Sequence, residues 1–297
     1  MSFNVFLLGG GTRLAAHLGA LEALEHSAGG IDRWAGASAG SLVAAVRASG
    51  HTHAQAVELV FSTDYRQFFD LRPLQLIRGY GLCSGRKLEK WVHVVLKGAR
   101  FRDLEAPLSI VATDVVSGEP FIFSNENTPE ACVAEAVRCS VGIPGLFTVK
   151  RFGEVVLVDG GLTPIDESQL FPQETASQNL TIRLVRDKVT KAMQVGGGMF
   201  GWGAYTQQIA SLLLDAGDDP RFFPSHSERV LAIRTGPHSA VDFDLTLDEK
   251  HDLYDRGFRQ CREMLERQRE KPQPILEELL ATVDTTLSRA GHVPSLN

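Results

Sequence analysis

The sequence predicts an α/β fold, a layered sandwich in which helices flank a largely parallel central sheet. Strand-like and helix-like patterns alternate from the first residues onward, which is typical of parallel sheets with crossover helices. Glycines stand where predicted strands meet predicted helices, at Gly9, Gly10 and Gly11 and again at Gly36 and Gly40. With 297 residues, of which 43% are apolar and 22% charged, the chain has the composition of a globular protein with a sizeable core.

The N-terminal elements follow from hydrophobic periodicity. A continuous apolar run predicts a buried strand over residues 3–8, and leucines at helical spacing predict a helix over residues 14–26. A second short strand is predicted at residues 33–37. A helix of small residues, 38–48, follows it directly, so the strand, glycine turn and helix unit occurs twice.

The middle of the chain continues the alternation. Strands are predicted at residues 107–113 and 119–124, joined by a turn over 114–118, with a helix at 129–138 after them. A hairpin is predicted from residues 147–150 and 154–158, and its second strand ends at Asp159. The remaining predicted elements are strands at 180–185 and 230–234 and helices at 205–214 and 249–267.

No repeat, low-complexity run or linker divides the chain, so one domain over residues 1–297 is predicted. Its sequence motifs lie within residues 3–164, and residues 170–297 are expected to complete the fold. The least regular stretches, 64–84 and 188–202, are each either a cap over a site or a surface loop.

Charge and composition exclude several classes of function. The formal net charge is −6 with Lys and Arg scattered, whereas a nucleic-acid binder needs a concentrated basic surface. No stretch approaches the roughly 18 apolar residues of a membrane span, so any lipid contact is expected to be peripheral. The first residues lack a basic leader and the four cysteines lack CxxC spacing, which favours the cytoplasm, with secretion by a leaderless route as the alternative.

The segment Gly36-Ala37-Ser38-Ala39-Gly40 fits G-x-S-x-G, in which a serine occupies a strained turn between a strand and a helix. Such a turn places Ser38 at a helix N-terminus, whose amides and dipole favour negative charge. A glycine-lined turn without chemistry is the alternative.

The segment Gly9-Gly10-Gly11-Thr12-Arg13 also follows a predicted strand. It lacks the third glycine of a dinucleotide-binding loop and the G-K-S/T of a phosphate loop. Consecutive glycine amides suit an oxyanion hole, and loops at the carboxyl ends of neighbouring parallel strands share one edge. The Gly9 segment and Ser38 are therefore expected to converge, and a plain tight turn stays the alternative.

A third apolar strand ends in Asp159-Gly160-Gly161 and would bring Asp159 to the same edge. Taken alone, an aspartate at the end of a strand is more often a turn former or a helix cap. The three motifs together favour a site.

In this order, Gly-Gly-Gly-Thr-Arg, Gly-Ala-Ser-Ala-Gly and Asp-Gly-Gly closely resemble the patatin-like phospholipases and, more distantly, the catalytic domain of cytosolic phospholipase A2. Further resemblances are Val111-Ala112-Thr113-Asp114 and Cys139-Ser140-Val141-Gly142-Ile143-Pro144. The resemblance implies a Ser-Asp dyad that hydrolyses acyl esters of lipids, with no cofactor, metal or catalytic histidine. It assigns the nucleophile to Ser38, the base to Asp159 and the oxyanion segment to Gly9, Gly10, Gly11 and Arg13.

The sequence departs from this family after the acid motif, where Leu162-Thr163-Pro164-Ile165 replaces the usual Asn-x-Pro. This departure affects the expected pocket shape more than the dyad. An α/β-hydrolase triad would instead need a late histidine, for which His226, His238, His251 and His292 are available in less favourable contexts.

Other candidate sites are weaker. The pair His51-x-His53 has no partner ligands in view, and an apolar cluster in residues 68–77 is more often core than a membrane-facing lid. The expected partner is a phospholipid or another acyl lipid, and the sequence leaves the oligomeric state open. The competing functions are a non-catalytic lipid-binding or partner-binding module and an enzyme that waits for an activator.

Overall fold

A computed structural model describes residues 2–27, 30–70, 80–187 and 230–270. The strands in these ranges are β1 (Phe3–Leu8), β2 (Ile31–Ala37), β3 (Gly81–Cys83), β4 (Leu108–Asp114), β5 (Pro120–Ser124), β6 (Gly145–Phe147), β7 (Lys150–Phe152), β8 (Val155–Val158), β9 (Asn179–Val185) and β10 (Val230–Arg234). The α-helices are α1 (Leu14–Ser27), α2 (Ala39–Ala48), α3 (His53–Ser62), α4 (Arg86–Val95), α5 (Val133–Ser140) and α6 (Leu247–Glu270).

The main sheet has the order β10-β9-β1-β2-β4-β8-β7, and β5 also pairs with β4. The pairs from β10 to β4 are parallel, whereas β5, β8 and β7 run antiparallel. The predicted fold class, a largely parallel sheet flanked by helices, is confirmed.

The central strand β1 is buried on both faces, which explains its continuous apolar run. Side chains alternate along a strand, so Val5 and Leu7 join the larger core while Phe6 and Leu8 join a smaller one. Because β1 pairs with β2 in parallel, the glycine segment after β1 and Ser38 after β2 leave the sheet at the same edge.

The larger core lies between the sheet and a layer containing α1, α2, α5 and α6. The first and last of these helices pack backbone to backbone. A Cβ at Gly19 would overlap the Tyr254 carbonyl oxygen, and a Cβ at Gly257 would overlap the Ala16 carbonyl oxygen. On the other face of the sheet, Ile165, Leu170 and Phe171 pack into the smaller core.

Two predicted elements are corrected. Residues 145–147 form β6, which pairs in parallel with the distant β3, and the hairpin partner of β8 is instead β7, across Gly153 with φ of 59°. The predicted helix 129–138 begins only at Val133, because the preceding residues pair with another segment: Cys132 bridges Arg100 and the Pro129 carbonyl accepts from the Arg102 amide.

The predicted helix 205–214 and the irregular stretch 188–202 lie outside the described residues. Within the described ranges, no helix combines the length and the apolar character needed to cross a membrane.

Candidate active site

Ser38 occupies a sharp turn between β2 and α2, with φ of 54° and ψ of −134°. A positive φ is unfavourable for a residue with a Cβ and persists only where the surroundings enforce it. Here the enforcement is close packing. A Cβ at Gly36 would overlap the Ser41 backbone, and a Cβ at Gly40 would overlap the Leu7 carbonyl, so the two motif glycines let α2 approach the sheet.

The Ser38 hydroxyl donates a hydrogen bond to Asp159 Oδ2 at 2.8 Å. The two residues are 1% and 0% exposed. The other carboxylate oxygen, Oδ1, accepts from the Gly161 amide at 2.8 Å, which fixes the orientation of the carboxylate.

The backbone of Asp159 is held from two sides. Its amide donates to the Gly142 carbonyl at 3.1 Å, and its own carbonyl accepts from Thr113 Oγ1 at 2.9 Å. A Cβ at Gly160 would overlap the Val111 carbonyl, so the first glycine of the acid motif allows the chain to pass close to β4.

Burial raises the pKa of Asp159 to about 7, while hydrogen bonds from Gly161 and Ser38 oppose the rise. The cause is desolvation, which disfavours the charged form. A carboxylate with a pKa near neutrality can accept a proton and release it again at physiological pH.

Ser140 connects the turn of Ser38 to the sheet. Its hydroxyl accepts from the Ser38 amide at 2.9 Å and donates to the Val111 carbonyl at 2.6 Å. The serine belongs to the segment Cys139 to Pro144 that resembles a family motif, but the sequence does not reveal its contact with Ser38.

The glycine segment after β1 has positive φ throughout, 70° at Gly9, 112° at Gly10 and 53° at Gly11. The Gly9 amide donates to the Ala37 carbonyl at 3.2 Å and so continues the sheet. No acceptor among the described residues takes the amide hydrogens of Gly10 or Gly11. A Cβ at Gly11 would overlap the Ala240 carbonyl oxygen.

Arg13 is 1% exposed and points into the protein. Its Nε donates to the Gly10 carbonyl at 3.0 Å, and NH1 donates to Thr235 Oγ1 at 2.9 Å, just beyond the end of β10. These contacts tie the glycine segment to the C-terminal half of the chain.

His17 is a supporting residue that sequence reasoning missed. Its Nε2 lies 3.1 Å from the Gly9 carbonyl, and burial lowers the pKa of the ring to about 4. The neutral ring therefore carries its proton on Nε2, because a carbonyl can only accept. The available signal was a polar residue within the apolar first half of helix α1.

An apolar cavity opens beside Ser38, with an empty volume of about 660 Å³ that includes its mouth. Its apolar lining includes Leu42 and Ile143, together with Val60, Phe68, Trp91 and Phe147. An elongated apolar group bound there would lie against the nucleophile.

No histidine of the described ranges bonds to Ser38 or Asp159. His238 lies 3.8 Å from Glu249, and the His251 ring packs on Phe61 at 4.7 Å between centroids. His226 and His292 lie outside the described residues.

The other candidate sites show ordinary contacts. His51 Nδ1 lies 3.0 Å from Ser49 Oγ, and His53 Nε2 lies 3.0 Å from the Tyr254 hydroxyl. The part of the chain that the structure describes contains no group of three or more potential metal ligands. Of the apolar cluster at 68–77, Phe68 is buried, and residues 71–79 lie outside the described ranges.

Comparison with known proteins shows what the chain is similar to. The family model described as patatin-like phospholipase matches residues 5–167, more than half of the chain. Among similar sequences, YqhO of Bacillus subtilis (strain 168) is 28% identical over 278 residues, which cover 84% of this chain and 94% of YqhO. An NTE family protein of Mycobacterium tuberculosis (strain CDC 1551 / Oshkosh) is 30% identical over 165 residues, 54% of this chain but only 26% of that protein.

Solved structures show the same fold at low sequence identity. VipD from Legionella pneumophila superposes with a TM-score of 0.59 at 16% identity, over 89% of this chain and 67% of VipD. The type III effector ExoU of Pseudomonas aeruginosa superposes with a TM-score of 0.53 at 15% identity, over 91% of this chain and 54% of ExoU.

Proposed function

The chain belongs to the patatin-like phospholipase family of lipid hydrolases, and from that premise we propose that it cleaves acyl esters of lipids with Ser38 as nucleophile and Asp159 as general base. The observation that carries the proposal is the 2.8 Å hydrogen bond between these two buried side chains, beside an apolar cavity.

In the first half of the reaction, Asp159 accepts the Ser38 proton as Oγ attacks the ester carbonyl carbon. The tetrahedral intermediate collapses when the carbon–oxygen bond to the alcohol breaks, and Asp159 returns the proton to that alcohol. An acyl-enzyme on Ser38 remains. In the second half, water loses a proton to Asp159 and attacks the acyl carbon. The bond between Ser38 Oγ and the acyl carbon then breaks, Asp159 returns the proton to Oγ, and the fatty acid leaves.

The negative oxygen of each tetrahedral intermediate needs preorganised donors. We assign this role to the Gly10 and Gly11 amides, which no described acceptor engages, with help from the N-terminus of α2. Gly9 and Arg13, also expected in the oxyanion segment, act differently in this proposal. The Gly9 amide already bonds to Ala37, and Arg13 holds the Gly10 carbonyl, so both shape the segment.

The apolar cavity is proposed to receive the acyl chain. Hydrocarbon transfer from water into such a lining is worth about 0.8 kcal/mol per methylene, which favours acyl lipids over small polar esters. No step of this mechanism calls for a cofactor.

Contact with a lipid surface is part of the same proposal. The turn after β4 carries Val115 and Val116, which are 53% and 85% exposed, at the sheet edge that also bears Ser38. Two exposed valines at this edge of the sheet suit peripheral contact with lipid.

The test is covalent labelling with a fluorophosphonate, followed by hydrolysis of a panel of phospholipids and neutral acyl lipids. The unaltered protein should be labelled at Ser38 and should release fatty acid, whereas Ser38→Ala and Asp159→Asn should each abolish turnover. The two residues act as one unit, so the double variant should be no worse than either single variant.

Ser49→Ala, at the far end of α2, is the matched control and should keep full activity. Full activity in Asp159→Asn would remove Asp159 from the mechanism. A folded protein that neither labels nor hydrolyses any lipid would favour the non-catalytic binding module or an enzyme that needs an activator.

A further inference from the structure

Lys250, on α6, is a buried cation outside the catalytic residues. It is 5% exposed, although lysine is rarely buried unless it is paired. The Asp64 carboxylate, whose charge raises the pKa of Lys250, is exposed and is itself hydrogen-bonded to Arg66. Desolvation lowers the pKa of Lys250, so its burial requires a specific compensation.

The compensation comes from the end of α3. Lys250 Nζ donates to the carbonyls of Thr63 at 2.7 Å, Val60 at 3.0 Å and Phe61 at 3.3 Å. The last carbonyls of a helix have no partner within the helix, and a cation there also complements the helix dipole. The ammonium also lies 4.3 Å from the centroid of the Tyr65 ring, within range of a cation–π interaction.

The same corner forms one side of the cavity beside Ser38. We call it the α3 wall, and it consists of Val60, Thr63, Tyr65 and Phe68, all of which line the cavity. Two of the three carbonyls that Lys250 holds therefore belong to residues of this wall, and the aromatic ring beneath its ammonium belongs to a third.

Among the described residues, the other side-chain hydrogen bonds of the wall are local. The Tyr65 hydroxyl donates to the Val60 carbonyl at 3.3 Å, and Thr63 Oγ1 donates to the Leu59 carbonyl at 2.6 Å, so both bonds stay within the corner itself. Phe68 packs against Trp91 of α4 at 5.3 Å between ring centroids. Lys250 ties this corner to the C-terminal helix from inside the protein, whereas the ion pair between Arg66 and Asp244 is exposed and the contact between His53 and Tyr254 lies at the other end of α3.

We propose that Lys250 is a positioning residue that holds the α3 wall in place and thereby sets the length of acyl chain that the cavity accepts. The inference rests on the proposed function, because it treats the cavity as the acyl site. Loss of the ammonium removes the hydrogen bonds to the Phe61 and Thr63 carbonyls and leaves the Val60 carbonyl with the Tyr65 hydroxyl alone, and the loss of a buried hydrogen bond costs more than the loss of an exposed one. The wall relaxes to let water reach these carbonyls, and the cavity no longer encloses the distal part of a long chain.

The competing explanation is that Lys250 only caps helix α3 and has no effect on specificity. The preference for acyl-chain length distinguishes the two explanations. The measurement is kcat/KM of the full-length chain on soluble p-nitrophenyl esters from acetate to octanoate. In Lys250→Met the octanoate-to-acetate ratio should fall about tenfold or more, since each methylene kept out of an apolar site is worth roughly a factor of four. The acetate rate should stay close to that of the parent, and Lys250→Arg should restore most of the ratio.

Arg47→Met is the matched control. Arg47, on α2, also holds a chain segment through a backbone carbonyl and pairs with Glu25, but that carbonyl, of His51, precedes the start of α3, at the opposite end of the helix from the α3 wall. This variant should lose stability without a change in the ratio.

An unchanged ratio in a folded Lys250→Met, or a parallel loss on both esters that follows the melting temperature, would overturn the proposal. If Lys250→Met does not fold, Lys250→Gln is judged by the same ratio.

A binding measurement keeps this inference separate from the proposed chemistry. Calorimetric titration of Ser38→Ala with decanoate should show binding that weakens about tenfold or more when Lys250→Met is added. If the protein hydrolyses no lipid but binds decanoate in a way that depends on Lys250, the catalytic proposal is wrong and the proposal for Lys250 stands. If decanoate binds equally well with and without the lysine, the proposal for Lys250 alone is wrong.

Discussion

Ser38 and Asp159 combine two features that a structural role does not require. The serine adopts a positive φ, and the aspartate is fully buried without a basic partner among the described residues. Each feature costs stability, the first through backbone strain and the second through desolvation. Such costs concentrate at functional sites, where strain exposes a nucleophile and burial tunes a base.

The pH dependence of the reaction should reveal the tuned base. Asp159 acts only as the carboxylate, and burial raises its pKa to about 7. We expect kcat/KM on a soluble ester to rise with pH through neutrality and to reach a plateau above about pH 8, as a single ionisation. A profile that is flat from pH 5 to pH 9 would contradict the assignment, because kcat/KM reports the ionisation of the free enzyme.

The stability of Asp159→Asn provides an independent check of the same pKa. A carboxyl whose folded-state pKa lies above its unfolded value keeps its proton longer in the folded state, so its burial costs more stability as pH rises between the two values. For Asp159 this window runs from the ordinary 3.8 to about 7. We therefore expect Asp159→Asn to melt at a higher temperature than the parent at pH 8, and we expect the difference to shrink towards pH 4.

At the scale of elements, the site is built from the turns that follow β1, β2 and β8. The first two strands pair directly, and β4 lies between β2 and β8 in the sheet. Their C-terminal turns meet because four of the motif glycines, Gly11, Gly36, Gly40 and Gly160, allow backbone to approach backbone. Chain direction places the turns after β1 and β2 at one edge, as expected for parallel strands. The expected parallel arrangement does not extend to β8, which runs antiparallel to β4 and enters the sheet from beyond that edge, with Leu157 opposite Asp114 and Val158 opposite Thr113.

Substitutions in the glycine segment after β1 test whether its amides stabilise the oxyanion. Gly11→Ala should lower kcat by roughly 10²- to 10³-fold, the usual effect of losing one oxyanion donor, because its Cβ would push the segment away from Ala240. KM should change little, since the donors act on the oxyanion rather than on the ester.

Gly9→Ala is the matched control for Gly11→Ala. It has a similar positive φ, but its amide already bonds to Ala37 and its Cβ would meet no atom within 4 Å. It should cost far less activity. Equal losses in both variants, tracking their melting temperatures, would favour a purely structural turn.

Local patterns predicted β1, β4 and β8 well, because each is a short and mostly apolar run bounded by glycines or turns. They found the end of β2 but missed its start at Ile31-Asp32, where a charged residue interrupts the apolar pattern. They failed for β6, whose partner β3 lies some sixty residues earlier in the chain and leaves no periodic signal. His17 and Lys250 escaped prediction for a related reason. Their partners are backbone carbonyls brought near by tertiary packing, and backbone groups carry no sequence signature.

At the scale of the whole molecule, the C-terminal part of the chain pairs with and packs against the part that carries the sequence motifs. Strand β9 pairs with β1, and α6 covers α1. The Thr235 hydroxyl accepts a hydrogen bond from Arg13, the Ala240 carbonyl lies against Gly11, and Lys250 donates to carbonyls of the α3 wall. The family match ends at residue 167, yet each of these contacts has one partner beyond it, so we propose that the described residues on both sides of this limit form one folding unit.

A substitution at the contact between α1 and α6 tests whether these parts form one folding unit. Gly257→Val would drive a branched side chain into the Ala16 carbonyl of α1, and the free energy of unfolding should fall by roughly 3 kcal/mol, the upper part of the range for overpacking. Because α6 also carries Lys250, the octanoate-to-acetate ratio should fall in this variant even at temperatures where it remains folded. Gly153→Asn is the control, since a Cβ there meets open space and asparagine tolerates the positive φ; its stability should change by no more than about 0.5 kcal/mol. Thermal melts and ester kinetics on the same samples decide the matter: a destabilised Gly257→Val with the parent's chain-length preference would show that α6 supports the fold without shaping the cavity.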